Sequence, residues 1–145
     1  MINNTNFLAM IPHRPPMLLI DHVEEVSKNA SSAKTIIHKD SPFFEAGKGV
    51  PAWIGVEYMG QTAALIAAYQ LQEGSVEPHL GLLLGTRKFV ANTAWFLENS
   101  ELLISCKEVA VVGATLATFD CSIHDIEKDV ELASARLSVY RKPRN

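Results

Sequence analysis

Residues 49–71 constrain this chain more than any other feature, because they carry a single charged residue, Glu57. Ala, Leu, Met and Gln dominate the stretch, which is helix-forming composition. Pro51 suits a first helical turn and Gly74 a stop, so a helix is predicted over residues 51–72. That helix is apolar nearly all round, so another element must wrap it. Its length is close to that of a membrane span, about 20 residues. It nevertheless contains Glu57, Gln61, Thr62 and Gln70, and much of its bulk is Ala and Gly. Burial inside a soluble protein is the expectation, with no membrane partner.

The wrapping element is legible in the second half. Ala133, Ala135, Leu137 and Val139 alternate with polar residues, as do Thr115, Ala117, Phe119, Cys121 and Ile123. Leu102, Ile104 and Cys106 mark a third strand and Leu80–Phe89 a fourth. Period-two alternation predicts strands with one buried face. Before the helix, residues 17–26 and 32–38 read as a hairpin with its turn near Lys28–Ser31. Pro12, Pro15 and Pro16 forbid a regular helix interior ahead of it. Two strands, a buried helix and four strands predict an α+β fold, an antiparallel sheet around a long central helix, in one domain over residues 1–145.

Composition excludes more than it selects. A net charge of −3 gives no general reason to bind nucleic acid. The two cysteines, Cys106 and Cys121, form no Cys-x-x-Cys pair and have no His cluster, so no metal is expected and both read as buried free thiols. No phosphate-binding glycine loop appears, so no cofactor is expected. The start of the chain lacks the basic residues and long apolar run of a signal peptide, and a cytoplasmic location is expected.

Glu57 is the candidate for chemistry. Its neighbours Trp53, Ile54, Val56, Met59 and Ala63 are apolar. Desolvation raises a carboxyl pKa, which suits a general acid or base near neutral pH. The helix start opposes this by favouring the anion, and its N–H groups can also hold a thioester carbonyl. A Glu that merely stabilises a helix start and faces solvent remains the rival reading. Gln61, four residues on, shares the face of Glu57 and could bond it, a substrate, or buried backbone.

These residues carry a family resemblance. Ile11-Pro-His-Arg-Pro-Pro-Met-Leu-Leu-Ile-Asp-His-Val23 resembles the opening of hotdog-fold 3-hydroxyacyl-acyl-carrier-protein dehydratases. Ser41-Pro-Phe-Phe44 resembles the loop before their central helix, Gly55-Val-Glu-Tyr-Met-Gly-Gln61 their helix signature, and Gly85-Thr-Arg-Lys-Phe89 the following strand. The Val50–Glu57 and Leu84–Arg87 segments look most like the dehydratases of aryl-polyene biosynthesis. The resemblance implies a hotdog fold and dehydration of 3-hydroxyacyl thioesters, bound to an acyl carrier protein or CoA, in polyene or fatty-acid-like synthesis. It implies a homodimer or larger homo-oligomer, or a hetero-oligomer with another hotdog subunit, and a site at the subunit interface. Glu57 matches the family acid that protonates the departing hydroxyl. In the family the helix N-terminus polarises the thioester carbonyl, so Gly55 and Val56 there are substrate-binding candidates, as are Trp53, Gln61 and Arg87.

One departure stands out. The family loop carries its catalytic His after the Phe-Phe pair, whereas Phe44-Glu-Ala-Gly-Lys-Gly-Val-Pro51 is shorter and has none. Of the five histidines, His13 sits in a proline-braced loop that could aim it at a pocket, and it is the candidate base. A structural His locking the N-terminal segment is the rival reading. His38 is a lesser candidate, and His22, His79 and His124 read as surface residues. Arg87 and Lys88 could meet an acidic carrier or a phosphopantetheine phosphate, or be ordinary solvated charges. Trp53 and Tyr58 could line an acyl tunnel or pack in the core. A thioesterase using Glu57 alone, and a non-catalytic acyl-binding subunit, are the alternative functions.

Overall fold

The computed structural model describes residues 4–74, 79–113 and 115–143. Helix α1 (Asn4–Met10) leads into the proline-braced loop, then the hairpin of β1 (His22–Val26) and β2 (Ala30–Ile36). A short β3 (Val50–Pro51) and a 3-10 turn (Ala52–Ile54) feed α2 (Gly55–Glu73). β4 (His79–Ala91), β5 (Trp95–Phe96), β6 (Glu101–Val112), β7 (Leu116–Asp125) and β8 (Val130–Pro143) follow.

Six strands form one antiparallel sheet in the order β1-β2-β6-β7-β8-β4, and β3 pairs with β5 apart from it. The alternation seen in sequence is the reason the sheet has an inner face. Ala33, Ile104, Ile123 and Ala133 are successive cross-strand partners, and all are fully buried. The next inward row, Ser31, Cys106, Cys121 and Ala135, is also buried, and two of its members fasten α2. Ser31 Oγ donates to the Thr62 carbonyl at 2.6 Å, and Cys106 Sγ to that of Met59 at 3.3 Å. Both thiols are free and buried, and burial pushes that of Cys106 well up. This is the hotdog arrangement: Met59, Leu65 and Ile66 of the helix are fully enclosed by the sheet.

The helix ends as expected, with Gly74 in the left-handed conformation (φ 78°) and its N–H bonded to the Gln70 and Leu71 carbonyls. No described helix is long and apolar enough to cross a membrane. Three local expectations need correction. Residues 17–21 do not join a strand: the Met17 and Leu18 N–H groups turn back to the Arg14 carbonyl, and the Leu19 N–H and the Met17 and Leu19 carbonyls go to the Gln61 and Thr35 side chains. The helix starts with a 3-10 turn, and its α-helical part begins at Gly55. The strand expected from Thr115 begins at Leu116. The Leu80–Leu84 and His79 side chains lie outside the described residues.

Candidate active site

Glu57 stands in the first turn of α2, and no side chain caps that helix start. The 3-10 turn before it supplies backbone acceptors: the Gly55 N–H is bonded to the Ala52 and Trp53 carbonyls. Two glycines make the placement feasible. A Cβ on Gly55 would come within 2.9 Å of Ile123 Cδ1 and 3.2 Å of Phe96 Cζ, so a glycine there lets the helix start press onto the sheet. Gly49 (φ 116°) leaves no room at all, since a Cβ would lie 2.1 Å from the Phe96 carbonyl oxygen. The loop before the helix is thereby seated on β5.

Glu57 is neither enclosed nor alone: its side chain is 40% exposed. His13 Nε2 lies 3.7 Å from its Oε1. Gln61 Nε2 lies 3.4 Å from the same oxygen, a long hydrogen bond. Gln61 is fully buried and has stronger partners elsewhere. Its Oε1 accepts the Leu19 N–H at 2.8 Å, and its Nε2 donates to the Met17 carbonyl at 2.7 Å. The helix thus clips the N-terminal segment in place through one amide, and the clip holds the loop bearing His13 over Glu57.

The two ring nitrogens of His13 differ. Nδ1 is buried without a hydrogen-bond partner, so only Nε2, on the Glu57 side, can meet a substrate. A buried polar atom without a partner calls for an explanation, and a catalytic role is one. Burial holds the imidazole below its usual pKa; Glu57 opposes that shift and Arg14 adds to it. The ring is therefore neutral at neutral pH, the form a general base requires. A depressed His beside a carboxylate at a helix start is a pairing that proton-transfer sites favour.

The other expected residues fall in three places. Gly55 is buried and Val56 half-buried at the helix start, beside Glu57. Trp53 is 65% exposed and tilts against Phe43, 6.4 Å between ring centres, which excludes core packing for it. Phe43 adopts φ 69°, a conformation rare for an aromatic residue. Tyr58 does pack in the core, against Phe96. Arg87 is not at the cluster. It stands exposed on β4 opposite Arg136 of β8, whose neighbours Ala135 and Leu137 point inward. Arg136, Lys88 and Lys107 act on Asp120 on the outer face of the sheet, Arg87 stands beside Arg136, and Arg136 forks onto Asp120 at 2.7 and 3.1 Å. His38 and His22 are exposed, and His124 pairs with Asp129 at 2.9 Å. Among the described residues no group of three metal-ligating side chains converges.

Comparison with known proteins places this geometry. A family model described as ApeP-like, ApeP dehydratase, matches residues 5–145. A 3-hydroxyacyl-[acyl-carrier-protein] dehydratase FabZ of Anaeromyxobacter dehalogenans is 33% identical over 81 residues, 52% of either chain. The FabZ of Rickettsia bellii is 36% identical over 75 residues, 48% of this chain and 52% of that one. The chain spans about half the length of the curated relatives it matches. The structure of the dehydratase heterocomplex ApeI:P from Xenorhabdus doucetiae superposes with a TM-score of 0.83 at 25% identity, over 100% of this chain and 94% of that one. Zebrafish thioesterase superfamily member 2 shares the fold, with a TM-score of 0.70 at 12% identity over 96% and 94% of the chains. A family match along nearly the whole chain, a helix start bearing Glu57, and the hotdog topology agree: the chain belongs to the ApeP-like dehydratase family.

Proposed function

We propose that the protein dehydrates 3-hydroxyacyl thioesters, carried by an acyl carrier protein, to 2-enoyl thioesters in polyene or fatty-acid-like synthesis. The observation that carries this reading is the approach of His13 Nε2 to Glu57 Oε1, 3.7 Å, at the uncapped start of α2. In this reading His13 Nε2 takes the proton alpha to the thioester carbonyl. The electron pair left on that carbon forms the C=C bond, and the C–O bond to the 3-hydroxyl breaks. Glu57, as the acid, gives a proton to the departing hydroxyl, which leaves as water. A water bridging the 3.7 Å gap then carries the proton from the imidazolium back to the carboxylate, restoring both groups. The positive end of the α2 dipole, at Gly55 and Val56, polarises the thioester carbonyl. The outer-face cations Arg87, Lys88, Lys107 and Arg136 supply a positive surface for an acidic carrier, on a chain whose net charge is −3.

The test is mass spectrometry of carrier-bound 3-hydroxyacyl thioesters incubated with wild type, Glu57→Gln and His13→Ala. Loss of 18 mass units, roughly one water, by the wild type and neither variant is the expected result. Water loss that survives His13→Ala removes His13 as the base. Thiol release without water loss replaces the reading with a thioesterase.

A second reading has its own support. The ApeI:P structure, similar over the full chain, is a dehydratase heterocomplex, and the loop of this chain lacks the family His. β4 is the last strand of the described sheet, so it offers an edge to the same strand of a second hotdog subunit. In that assembly the partner supplies the base and this chain supplies Glu57. Specific activity that falls on dilution, and returns when a second hotdog subunit is added, supports it. Activity proportional to concentration down to nanomolar chain, with a monomer mass in native spectra, rules it out.

A further inference from the structure

The loop between α1 and residue 17 holds its shape with almost no backbone hydrogen bonds of its own. Pro12, Pro15 and Pro16 have no N–H to donate, so within residues 12–16 only His13 and Arg14 have one. A loop built this way needs a side chain to fasten it. Arg14 does so from both ends. Its Nη1 donates to the carbonyls of Ile11 at 2.5 Å and His13 at 2.7 Å, and its Nη2 to that of Ala9 at 2.9 Å. Its own carbonyl accepts the N–H groups of Met17 at 2.8 Å and Leu18 at 3.1 Å. Met17 and Leu19 are in turn the two residues gripped by Gln61.

We propose that Arg14 is a positioning residue of the site: by gathering the carbonyls of Ala9, Ile11 and His13 onto one guanidinium, it sets where the His13 ring stands relative to Glu57. The contacts form a closed circuit. It runs from Glu57 along α2 to Gln61, through residues 17–19 to Arg14, and through the His13 carbonyl back to the imidazole facing Glu57. Arg is the residue type this geometry demands. Its planar fork holds donors at fixed angles toward three carbonyls, whereas a Lys ammonium is a point charge on a flexible stem. One acceptor, Ala9, lies in the last turn of α1 and another, Ile11, directly follows it, where carbonyls lack intrahelical partners and a cation is favoured. The guanidinium also acts on the ring electrostatically. The charged groups bearing on His13 are Glu57 across the gap and Arg14 on its own loop, and Arg14 works against protonation of the imidazole. One residue thus serves both the place and the charge state of the base.

This inference rests on His13 being the base, and the experiment separates the two. Dehydration would be followed from pH 5 to pH 9 for wild type, Arg14→Met, Arg14→Lys and His13→Ala, with the thermal midpoint of each recorded. Small displacements of a catalytic group lower turnover by factors of about ten to a hundred. Arg14→Met is expected to lose about tenfold in kcat with KM within about twofold, since Arg14 does not touch the acyl thioester. Its acid limb is expected to move up toward the ordinary imidazole range, as the cation and part of the burial are lost. Arg14→Lys keeps the charge without the fork, so its acid limb stays near wild type while kcat remains low. A purely structural role would lower the thermal midpoint and leave kcat per folded chain and the acid limb of both variants as in wild type; that result overturns the proposal. Wild-type kcat in His13→Ala overturns the base assignment instead. If Arg14→Met does not fold, Arg14→Lys alone decides, because wild-type turnover with Lys refutes the fork.

Discussion

Gln61 is where stability and site meet, and its replacement by Leu tests the account of both. The side chain is fully buried and serves two backbone groups, the Leu19 N–H and the Met17 carbonyl. Leucine is close to it in volume but offers neither donor nor acceptor. Each orphaned buried backbone group costs about 1–3 kcal/mol, so about 4 kcal/mol is lost for the pair. The added apolar burial returns about 1 kcal/mol, leaving a net loss near 3 kcal/mol. For a domain of this size 1 kcal/mol shifts the melting temperature by about 2–4 °C, so a fall near 10 °C is expected. Gln61→Glu sharpens the test. The introduced carboxyl keeps the acceptor for Leu19, lacks a donor for Met17 once ionised, and stands against Glu57. Burial and a like charge both raise its folded pKa above the unfolded value, about 4.3. The folded state then binds more protons than the unfolded one, so stability falls as pH rises above about 4.3 and levels off above the raised pKa. Calorimetry of wild type and both variants from pH 4 to pH 8 measures this. A Gln61→Leu melt within about 2 °C of wild type, or a Gln61→Glu penalty independent of pH, refutes the clip.

Three further outcomes follow from the same geometry. Burial holds the folded pKa of His13 below the ordinary imidazole value of about 6.5, so the unfolded chain takes up its proton first. Stability is therefore full above that value and falls as pH is lowered through it, and His13→Asn should flatten that slope in urea titrations at pH 5.5 and 7.5. Gly49→Ala forces a Cβ to within 2.1 Å of the Phe96 carbonyl at φ 116°. Backbone must move, so a loss of about 3 kcal/mol or more is expected in the urea midpoint, with Gly60→Ala, where open space surrounds the Cβ, as the mild control. Lys88→Glu with Lys107→Glu reverses two outer-face charges, and should weaken association with an acidic carrier at least about tenfold at low salt while sparing turnover of a pantetheine thioester.

What the sequence disclosed depended on how local the cause was. The central helix was legible because a charge-free run is a property of the run itself, and β6 to β8 because burial of one face writes itself as alternation. α1 was not legible. Its residues Asn4-Thr-Asn-Phe-Leu-Ala-Met10 have no acidic first turn or basic last turn, and a helix this short is marginal without docking. It is held by Phe7 against Tyr69 of α2 and by the Arg14 fork, both distant causes. The strand reading of residues 17–21 failed for a related reason: Met17 and Leu19 look like a ladder and instead give their backbone groups to Gln61, forty or more positions away. In the site, Glu57 was visible as the one charge in an apolar helix. The placement of His13 beside it was a choice among five histidines, because only the folded loop brings that ring to α2. Arg14 lay in plain sight in the Pro-His-Arg-Pro-Pro motif, and its signal was the shortage of N–H donors around it.

The departure from the family loop has a physical consequence for where a base can come from. The segment that carries the family His is here closed on itself: Glu45 and Gly49 exchange backbone hydrogen bonds, and Gly49 is pressed onto Phe96. The cation of that loop, Lys48, lies 5.3 Å over the Trp95 ring. Nothing in the loop offers an imidazole, and its tight seating on β5 leaves the approach to the helix start to other segments. In this chain the segment that takes it is the proline-braced loop, whose His13 turns Nε2 toward Glu57 and buries Nδ1. In the proposed dehydration, a base for Glu57 has two sources, the N-terminal loop of the same chain or a second hotdog subunit. The first needs Arg14 and Gln61 to hold a loop that its prolines cannot fasten, whereas the second leaves both residues free to change without loss of turnover. The circuit of contacts from Glu57 to Gln61, Arg14 and His13 is what the first source requires.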